Sequence, residues 1–245
     1  MNAALYASAM VIETSAFTGF RPEAIDFLVE LGQNNDRSWF QPRKADYERL
    51  LKTPMEALVA ALAERFEARG IPLEADPKRS VSRIYRDTRF AKDKSPYKTN
   101  VYARFPWVGP GSGHDASDDG GHGPSGYFNV MPGESYVGGG MWRPEKPRLE
   151  AFRAAVLDEP DRVRAALEEP GFLAEFGPVH SHDSFKRVPP GLPPDHPLAE
   201  LFRYKDIVFG HQMTDDEIRS PDLPDILADA FAAAVPVLRF LSTLG

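Results

Sequence analysis

The sequence predicts an α+β fold, a single domain in which helices from both ends of the chain pack on a central antiparallel sheet. Apolar residues recur at helical spacing in the first and last thirds of the chain. The middle instead contains short aromatic and β-branched segments separated by Pro and Gly. We find no internal repeat, and 42% hydrophobic with 27% charged residues is ordinary for one globular domain.

Helical signals dominate the N-terminal third. Pro22–Leu31 ("PEAIDFLVEL") has apolar residues on one face and Pro at its start. The segment "QNNDRSWF" that follows has the composition of a turn. Thr53 and Glu56 then form a capping-box pattern, which predicts a second helix that ends at Gly70.

The middle of the chain predicts the sheet. Its segments are "VSRIYRDTRF", "NVYARFPW", "GYFNVMP" and "ESYVGGGMW". Tyr127–Met131 and Ser135–Val137, joined across "PGE", predict a hairpin. Val81–Phe90 also fits a helical turn, but we favour a strand. Gly109–Gly126 contains seven glycines and no large apolar residue, so we expect a flexible insertion there.

Helices return in the last third. The pattern predicts helices at Lys146–Leu157 and Pro160–Glu168, and a short one around Leu198–Phe202 that Asp195 would cap. "KDIVFGHQM" predicts a strand, and "PDILADAFAAAVPVLRFLSTL" a closing helix kinked at Pro236.

Composition excludes several classes of protein. The absence of cysteine excludes disulfides, thiolate metal sites and cysteine nucleophiles. No run approaches the roughly 20 apolar residues of a membrane-spanning helix, so we expect no membrane partner. The first residues lack the basic start of a signal peptide. We therefore expect a cytoplasmic protein, with a loose tail at residues 1–16 and one domain at residues 17–245.

The charge is unevenly distributed along the chain. The formal net charge is -7, yet residues 78–104 contain nine Lys or Arg and two Asp, which makes this window +7 and the remainder -14. A concentrated basic patch on an acidic body indicates a discrete anionic partner. The pattern favours a small anionic ligand over nucleic acid.

If Val81–Phe90 is a strand, then Arg83, Tyr85, Asp87 and Arg89 share one face. Arginine presents a planar fork of donors that suits phosphate or carboxylate, and Asp87 could fix the orientation of its arginine neighbours. The alternative is a solvated ladder of ion pairs, each contributing about 0 to 1 kcal/mol.

The sequence therefore predicts a small-anion site on this strand and the loop after it. Its candidate residues are Arg83, Arg86, Asp87, Arg89, Asp93, Lys94, Tyr97 and Lys98. Arginine and lysine would hold the anion, Tyr97 and Lys98 would line the loop, and Asp87 would orient an arginine or act as a base. Such a site would suit an enzyme that acts on a phosphorylated metabolite.

Two other readings of the basic stretch remain open. It could be a non-catalytic module that docks an acidic protein segment or single-stranded nucleic acid, with Tyr85, Phe90, Tyr97 and Tyr102 as stacking platforms. It could also be a purely structural strand. The sequence leaves catalytic residues, cofactor, reaction and oligomeric state undefined, and it does not establish whether the protein is an enzyme.

Three other clusters of residues give weaker evidence of a functional site. The insertion carries His114, Asp115, Asp118, Asp119 and His122, but flanking glycines do not preorganise metal ligands, so we assign no metal site. "VGGGMW" lacks the dinucleotide-binding spacing, and its glycines indicate a close approach of backbone. The acid-base groups of "HSHDSFKRVPPGLPPDHP" match no ordered triad or zinc motif, and we favour a structural role for them.

The chain resembles a family known as domain of unknown function 2461. The resemblance rests on the pattern RxxRDxRF at 83–90, continued by Asp93-Lys94 and Tyr97, and on "NNDRSWF", "GGGMWRPE" and "FKRVPPGLPPDHP...FRYKD". Pro189 stands where such sequences tend to have lysine, and 109–126 looks like an insertion relative to the family pattern. The resemblance implies a single-domain fold without an established activity, so it carries over no catalytic residue.

Overall fold

The hairpin expected around "PGE" forms the centre of the sheet in the computed structural model of the chain, which describes residues 16–110 and 123–244. The strands are β1 (Val101–Pro106), β2 (Ser125–Val130), β3 (Tyr136–Met141) and β4 (Ile207–Gln212). The sheet order is β1-β2-β3-β4, and each neighbouring pair is antiparallel. Strands of this kind surrounded by helices confirm the α+β class.

Helices precede the sheet, connect its strands and follow it. Before the sheet lie α1 (Pro22–Gln33), α2 (Arg37–Tyr47) and α3 (Thr53–Arg69), and the later helices are α4 (Lys146–Asp158), α5 (Pro160–Leu167), α6 (Pro170–Phe176), α7 (Ala199–Phe202), α8 (Asp215–Arg219) and α9 (Leu223–Ser242). The predictions for α1, α4, α5, α7 and α9 are confirmed to within a few residues. The sequence reading missed α2, α6 and α8.

The helical run that joins α2 to α3 differs from the prediction of a capped helix beginning at Thr53. Lys52 and Thr53 both have helical dihedral angles, so Thr53 lies inside a continuous helical run. A π-helical turn at Glu48–Lys52 makes the junction. Pro54 explains it, because proline lacks an N–H group and its ring collides with the carbonyl four residues earlier in a regular α-helix. A wider turn before the proline relieves that collision.

The core lies between one face of the sheet and the two long helices α3 and α9. Phe66 on α3, Phe105 on β1 and Phe231 on α9 meet edge to face, with ring centroids 5.1 to 5.7 Å apart. Aromatic packing of this geometry adds to the burial of the rings themselves. The helix α6 packs on the same side, where Phe172 lies 5.0 Å from Phe209 of β4.

Val81–Phe90 does not form the expected strand. Only Val81 and Tyr85 make bridges, to Ala103 and Tyr97, and beyond Tyr85 the chain enters a loop. Aspartate side chains account for the difference, because Asp87 accepts a hydrogen bond from the backbone N–H of the residue two positions on, at 3.1 Å. Such local bonds give the backbone an alternative to a strand ladder.

Irregular segments run along both edges of the sheet. Ser82 N–H donates to Tyr102 O at 2.8 Å beside β1, and His180 exchanges two backbone hydrogen bonds with Val208 beside β4. Neither segment is a regular strand, yet each occupies backbone groups that an open edge would present to other chains.

One detail of the last third differs from the sequence reading. Asp195 was expected to cap the short helix, but His196 Nδ1 accepts the backbone N–H of Leu198 at 3.1 Å, just before α7. The helix α9 continues through Pro236, and the kink expected there stays a prediction. No helix within the described residues is long and apolar enough to cross a membrane.

Parts of the expected organisation lie outside the described residues. They are residues 1–15 of the tail and residues 111–122 of the insertion, including all five of its histidines and aspartates. Ser125 and Gly126 belong to β2, so the insertion is shorter at its C-terminal end than the sequence suggested.

Candidate functional site

The basic stretch folds back on itself as a narrow irregular hairpin. Arg86 N–H donates to Pro96 O at 2.9 Å, and Lys98 N–H donates to Ile84 O at 2.8 Å. Residues 86–96, which we call the basic loop, project from these bonds. The stretch therefore brings the predicted site residues into one region, but as a loop and not as one face of a strand.

Two ion pairs inside the basic loop use its aspartates. Arg86 Nη1 donates to Asp93 Oδ2 at 2.5 Å and to Ser95 O at 3.2 Å. Hydrogen bonds from the side chain and backbone of Ser95, together with the Arg86 guanidinium, hold the pKa of Asp93 well below its usual range. Asp87 pairs with Arg89 through both carboxylate oxygens, at 2.7 to 3.2 Å, which lowers the pKa of Asp87 to about 2.

Lys94 is also bound within the basic loop, because its Nζ donates to Thr88 O at 2.9 Å. Two of the four positive charges of the loop are thus paired with its two aspartates, whereas Lys94 binds a neutral carbonyl. The pairs are exposed, with the Arg89 side chain 78% accessible, so each contributes little to stability. Phe90 is 96% exposed at the tip, beside Arg89.

Tyr97 lies in the core instead of lining the loop. Its side chain is 1% exposed and stacks on Phe40 with centroids 4.1 Å apart. Asn35 holds its backbone from both sides, donating from Nδ2 to Tyr97 O and accepting from Tyr97 N–H, each at 3.0 Å. Asn35 and Phe40 belong to "NNDRSWF", so two motifs of the resemblance meet here and fix the base of the basic loop.

The strand register places a second set of polar residues on the face of the sheet opposite the core. This polar face comprises Tyr102, Arg104, Pro106, Ser125, Tyr127, Asn129, Tyr136, Gly138, Gly140, Val208, Gly210 and Gln212. These twelve strand positions, all within the described residues, include an arginine and no aspartate or glutamate. The net charge of the chain is -7, so a face of this composition is distinct from the rest of the surface.

The cations of the polar face lie next to phenol rings. Arg104 Nε donates to Ser125 Oγ at 3.0 Å, and burial lowers the pKa of Arg104, although arginine remains charged at neutral pH. Lys98 Nζ donates to Tyr102 Oη at 3.2 Å and sits 4.8 Å from the ring centroid. Of the predicted site residues, Lys98 is the one that these contacts place beside the polar face.

Three tyrosines cross the polar face in a row. The rings of Tyr102 and Tyr127 are 5.3 Å apart, and those of Tyr127 and Tyr136 are 6.5 Å apart. Burial raises the pKa of Tyr136 to about 12 and raises that of Tyr127 further, with the neighbouring phenols adding to the effect on Tyr127. These phenols are neutral at physiological pH, so each retains a proton to donate.

The sequence reading missed Tyr127, Asn129 and Tyr136. The signal was the alternation of apolar and polar side chains in "GYFNV", which assigns the tyrosine and asparagine to the non-core face once the strand is accepted. Asn129 Oδ1 accepts a hydrogen bond from Asn100 Nδ2 at 2.6 Å. This contact joins β2 to the residue that precedes β1.

The histidine cluster lies at the β4 edge of the sheet. His180 bridges Val208, and burial followed by the charge of His182 lowers the pKa of His180. His182 N–H donates to buried Asp206 at 2.8 Å, and its ring meets Trp142 edge to face at 5.1 Å. Among residues 16–110 and 123–244, no group of three or more acidic or histidine side chains is arranged to hold a metal ion.

Comparison with known proteins identifies the family. A family model described as "Conserved hypothetical protein (DUF2461)" matches residues 23–240, and the chain belongs to this family. No match was found among curated proteins or among solved structures. The matched range includes both the basic loop and the polar face.

Proposed function

We propose that this protein binds a small anion, a phosphate or carboxylate compound, on the polar face. Arg104 and Lys98 would supply the positive charge, and the phenols of Tyr102 and Tyr127 would donate hydrogen bonds. The observation that carries the proposal is the composition of the polar face: seven of its twelve strand positions have side chains with hydrogen-bond donors, one of them an arginine, and none has a carboxylate, although the chain as a whole is acidic.

Burial strengthens such a site. The attraction between unit charges grows as the effective dielectric constant falls, so a half-buried guanidinium attracts an anion more strongly than an exposed one does. Arg104 is half-buried, and its fork of donors matches the geometry of phosphate and carboxylate. An enzyme for a phosphorylated metabolite would use the same groups to stabilise developing negative charge.

The residues predicted from sequence enter this proposal in two ways. Lys98 would contact the anion directly. The others form the neighbouring hairpin and contribute its charge, and they are Arg83, Arg86, Asp87, Arg89, Asp93, Lys94 and Tyr97. Because Arg86 and Arg89 already pair with aspartates of the basic loop, an anion that bound there would have to compete with those carboxylates.

The test is calorimetric titration of the full chain with inorganic phosphate, repeated for Arg104→Gln and for Arg89→Gln as the matched control. We expect Arg104→Gln to weaken binding by about tenfold or more, which corresponds to a charge-assisted hydrogen bond of roughly 1.5 to 3 kcal/mol. Arg89→Gln should change affinity little. The opposite ranking of the two variants would move the site to the basic loop and refute the proposal.

The exposure of Phe90 favours a second candidate function. A phenylalanine 96% exposed beside Arg89 could dock on another macromolecule, as an aromatic and arginine contact often does at interfaces. Tyr97 cannot take part because it is buried. Binding of a short single-stranded oligonucleotide or acidic peptide that is lost in Phe90→Ala and falls steeply with salt would support this function. Unchanged binding in Phe90→Ala would exclude a role for the tip.

A further inference from the structure

Tyr136 lies flat on the sheet. Its hydroxyl donates to Phe209 O at 2.9 Å, on the neighbouring strand. A Cβ at Gly210 would fall 2.3 Å from Tyr136 Cζ, and one at Gly138 would fall 2.8 Å from Tyr136 Cε1. The ring therefore rests on the backbone of two glycines, and the hydroxyl bond fixes its orientation.

The Tyr136 ring is one end of the tyrosine row, which leads across the polar face toward Arg104 and Lys98. Tyr127 stands between Tyr136 and Tyr102, and the register places Arg104 directly opposite Tyr127 on the neighbouring strand. The rings are half-buried, so part of each is accessible. Arg104 lies one strand from Tyr127, a spacing of about 4.8 Å, and two strands from Tyr136, roughly 10 Å, so a ligand that reaches both the guanidinium and the last ring must span that distance.

We propose that the anion bound at the polar face carries a planar ring, and that this ring stacks on the tyrosine row while Arg104 holds the anionic group. This inference rests on the proposed function and names the chemical class of its ligand. A ring already fixed by a hydrogen bond and by two glycines loses little freedom when a ligand stacks on it, which favours binding. Every heteroaromatic base offers a π face to such a platform.

The experiment compares two ribose phosphates, one that carries an adenine base at C1′ and one that carries a hydroxyl there. Adenosine 5′-monophosphate and ribose 5-phosphate are titrated calorimetrically into the full chain, and into Tyr136→Leu and Tyr136→Phe. We expect the nucleotide to bind the unaltered chain about tenfold more tightly than the sugar phosphate, a usual contribution for one stacked base. Tyr136→Leu should abolish this preference and leave the affinity for ribose 5-phosphate unchanged.

Tyr136→Phe is the control for the ring, because it retains the π face and loses only the bond to Phe209 O. It should keep most of the preference for the nucleotide. Equal affinity of the unaltered chain for both probes would overturn this inference and leave the proposed function standing. A preference that survives both Tyr136→Leu and Tyr127→Leu would overturn it as well. If neither phosphate bound, the proposed function would be refuted, and this inference with it.

Discussion

At the scale of single residues, Tyr97 shows what the most specific motif of the family does. It ends the pattern that begins at Arg83, and a functional reading of the sequence placed it at an anion site. The structure places its ring against Phe40 and its backbone against Asn35, which lie 57 and 62 positions away along the chain. A motif residue is therefore not necessarily a ligand residue, since the most specific pattern can be the one that positions a loop.

Asn35→Ala should destabilise the fold measurably. It removes two hydrogen bonds of a half-buried side chain and leaves the N–H and C=O of Tyr97 without those partners, so we expect a loss of about 1 to 3 kcal/mol in the free energy of unfolding. Urea denaturation measures it. Asn34→Ala is the matched control, because it removes the hydrogen bond that the exposed Asn34 side chain donates to Glu30 O and should cost about 0.5 kcal/mol. Equal losses in the two variants would contradict this account of the motif.

Gly210 is required by the ring above it. A Cβ there would lie 2.2 Å from Tyr136 Oη and 2.4 Å from Val137 O, and the φ of Gly210 is +153°, so both the close contacts and the backbone oppose Gly210→Ala. We expect a loss of about 2 kcal/mol or more in the free energy of unfolding from overpacking. In Gly133→Ala only the positive φ of +71° opposes the side chain, since no described atom lies within 4 Å, and about 1 kcal/mol is expected. Chemical denaturation that ranks Gly133→Ala as the more damaging change would count against the close approach.

At the scale of elements, the sequence predicted those whose pattern is local. Pro22–Gln33 has clear helical periodicity with Pro at its start, and β3 follows the "PGE" turn, so both are predicted from local signals. The helix α2 was missed because its apolar residues are few and Pro42 interrupts them. It is stabilised by tertiary contacts, since Tyr47 packs on Phe27 of α1 and Phe40 packs on Tyr97. Val81–Phe90 was misread because strand-like composition does not reveal an aspartate bonded to its own backbone.

The helices α3 and α9 are joined by an ion-pair network that predicts a pH dependence. Asp225 accepts hydrogen bonds from Arg65 at 2.7 and 2.9 Å and from Arg69 at 3.0 Å. The bonds from Arg65 lower the pKa of Asp225 in the folded state. A lowered folded-state pKa stabilises the fold above the unfolded pKa of about 3.9, and this stabilisation is lost as the pH falls below that value.

Asp225→Asn should therefore cost about 1 kcal/mol or less near neutral pH, because the carboxylate is half-exposed and screened by solvent. The difference from the unaltered chain should begin to shrink below a pH of about 4 and approach zero once the pH has fallen through the lowered pKa of Asp225 in the folded state. Urea denaturation across this range measures it, and Glu67→Gln, an exposed change on the same helix α3, serves as the control. A difference that grows on acidification would show that the sign assigned to Asp225 is wrong.

At the scale of the whole molecule, the basic window is defined by the sequence, whereas the residues of the proposed site are brought together by the pairing of strands. The +7 window at residues 78–104 is visible in the sequence, and two of its members, Lys98 and Arg104, belong to the proposed site. Their neighbours Tyr127 and Tyr136 come from other strands and join them only through register. Composition can locate a basic hairpin, but pairing between strands decides which side chains share a face.

The edges of the sheet yield the last prediction. Ser82 N–H donates to Tyr102 O at 2.8 Å, and the segment around it lies along β1, whose other edge pairs with β2. Ser82→Pro removes this donor and should free the edge of β1. We expect faster amide exchange at Arg104, whose N–H donates to Ser80 O at 3.0 Å, and a larger mass than the unaltered chain in concentration-dependent light scattering.

Ser82→Ala isolates the backbone contribution, since it removes only the side-chain bond that Ser82 Oγ accepts from Tyr102 N–H at 3.2 Å. We expect this variant to keep the mass of the unaltered chain and to lose about 0.5 to 1.5 kcal/mol of stability. If Ser82→Pro also kept that mass and its normal exchange at Arg104, residues 80–82 would not be what protects the sheet. In that case the protection would have to come from the hydrogen bonds between β1 and β2, which belong to the four-stranded sheet itself.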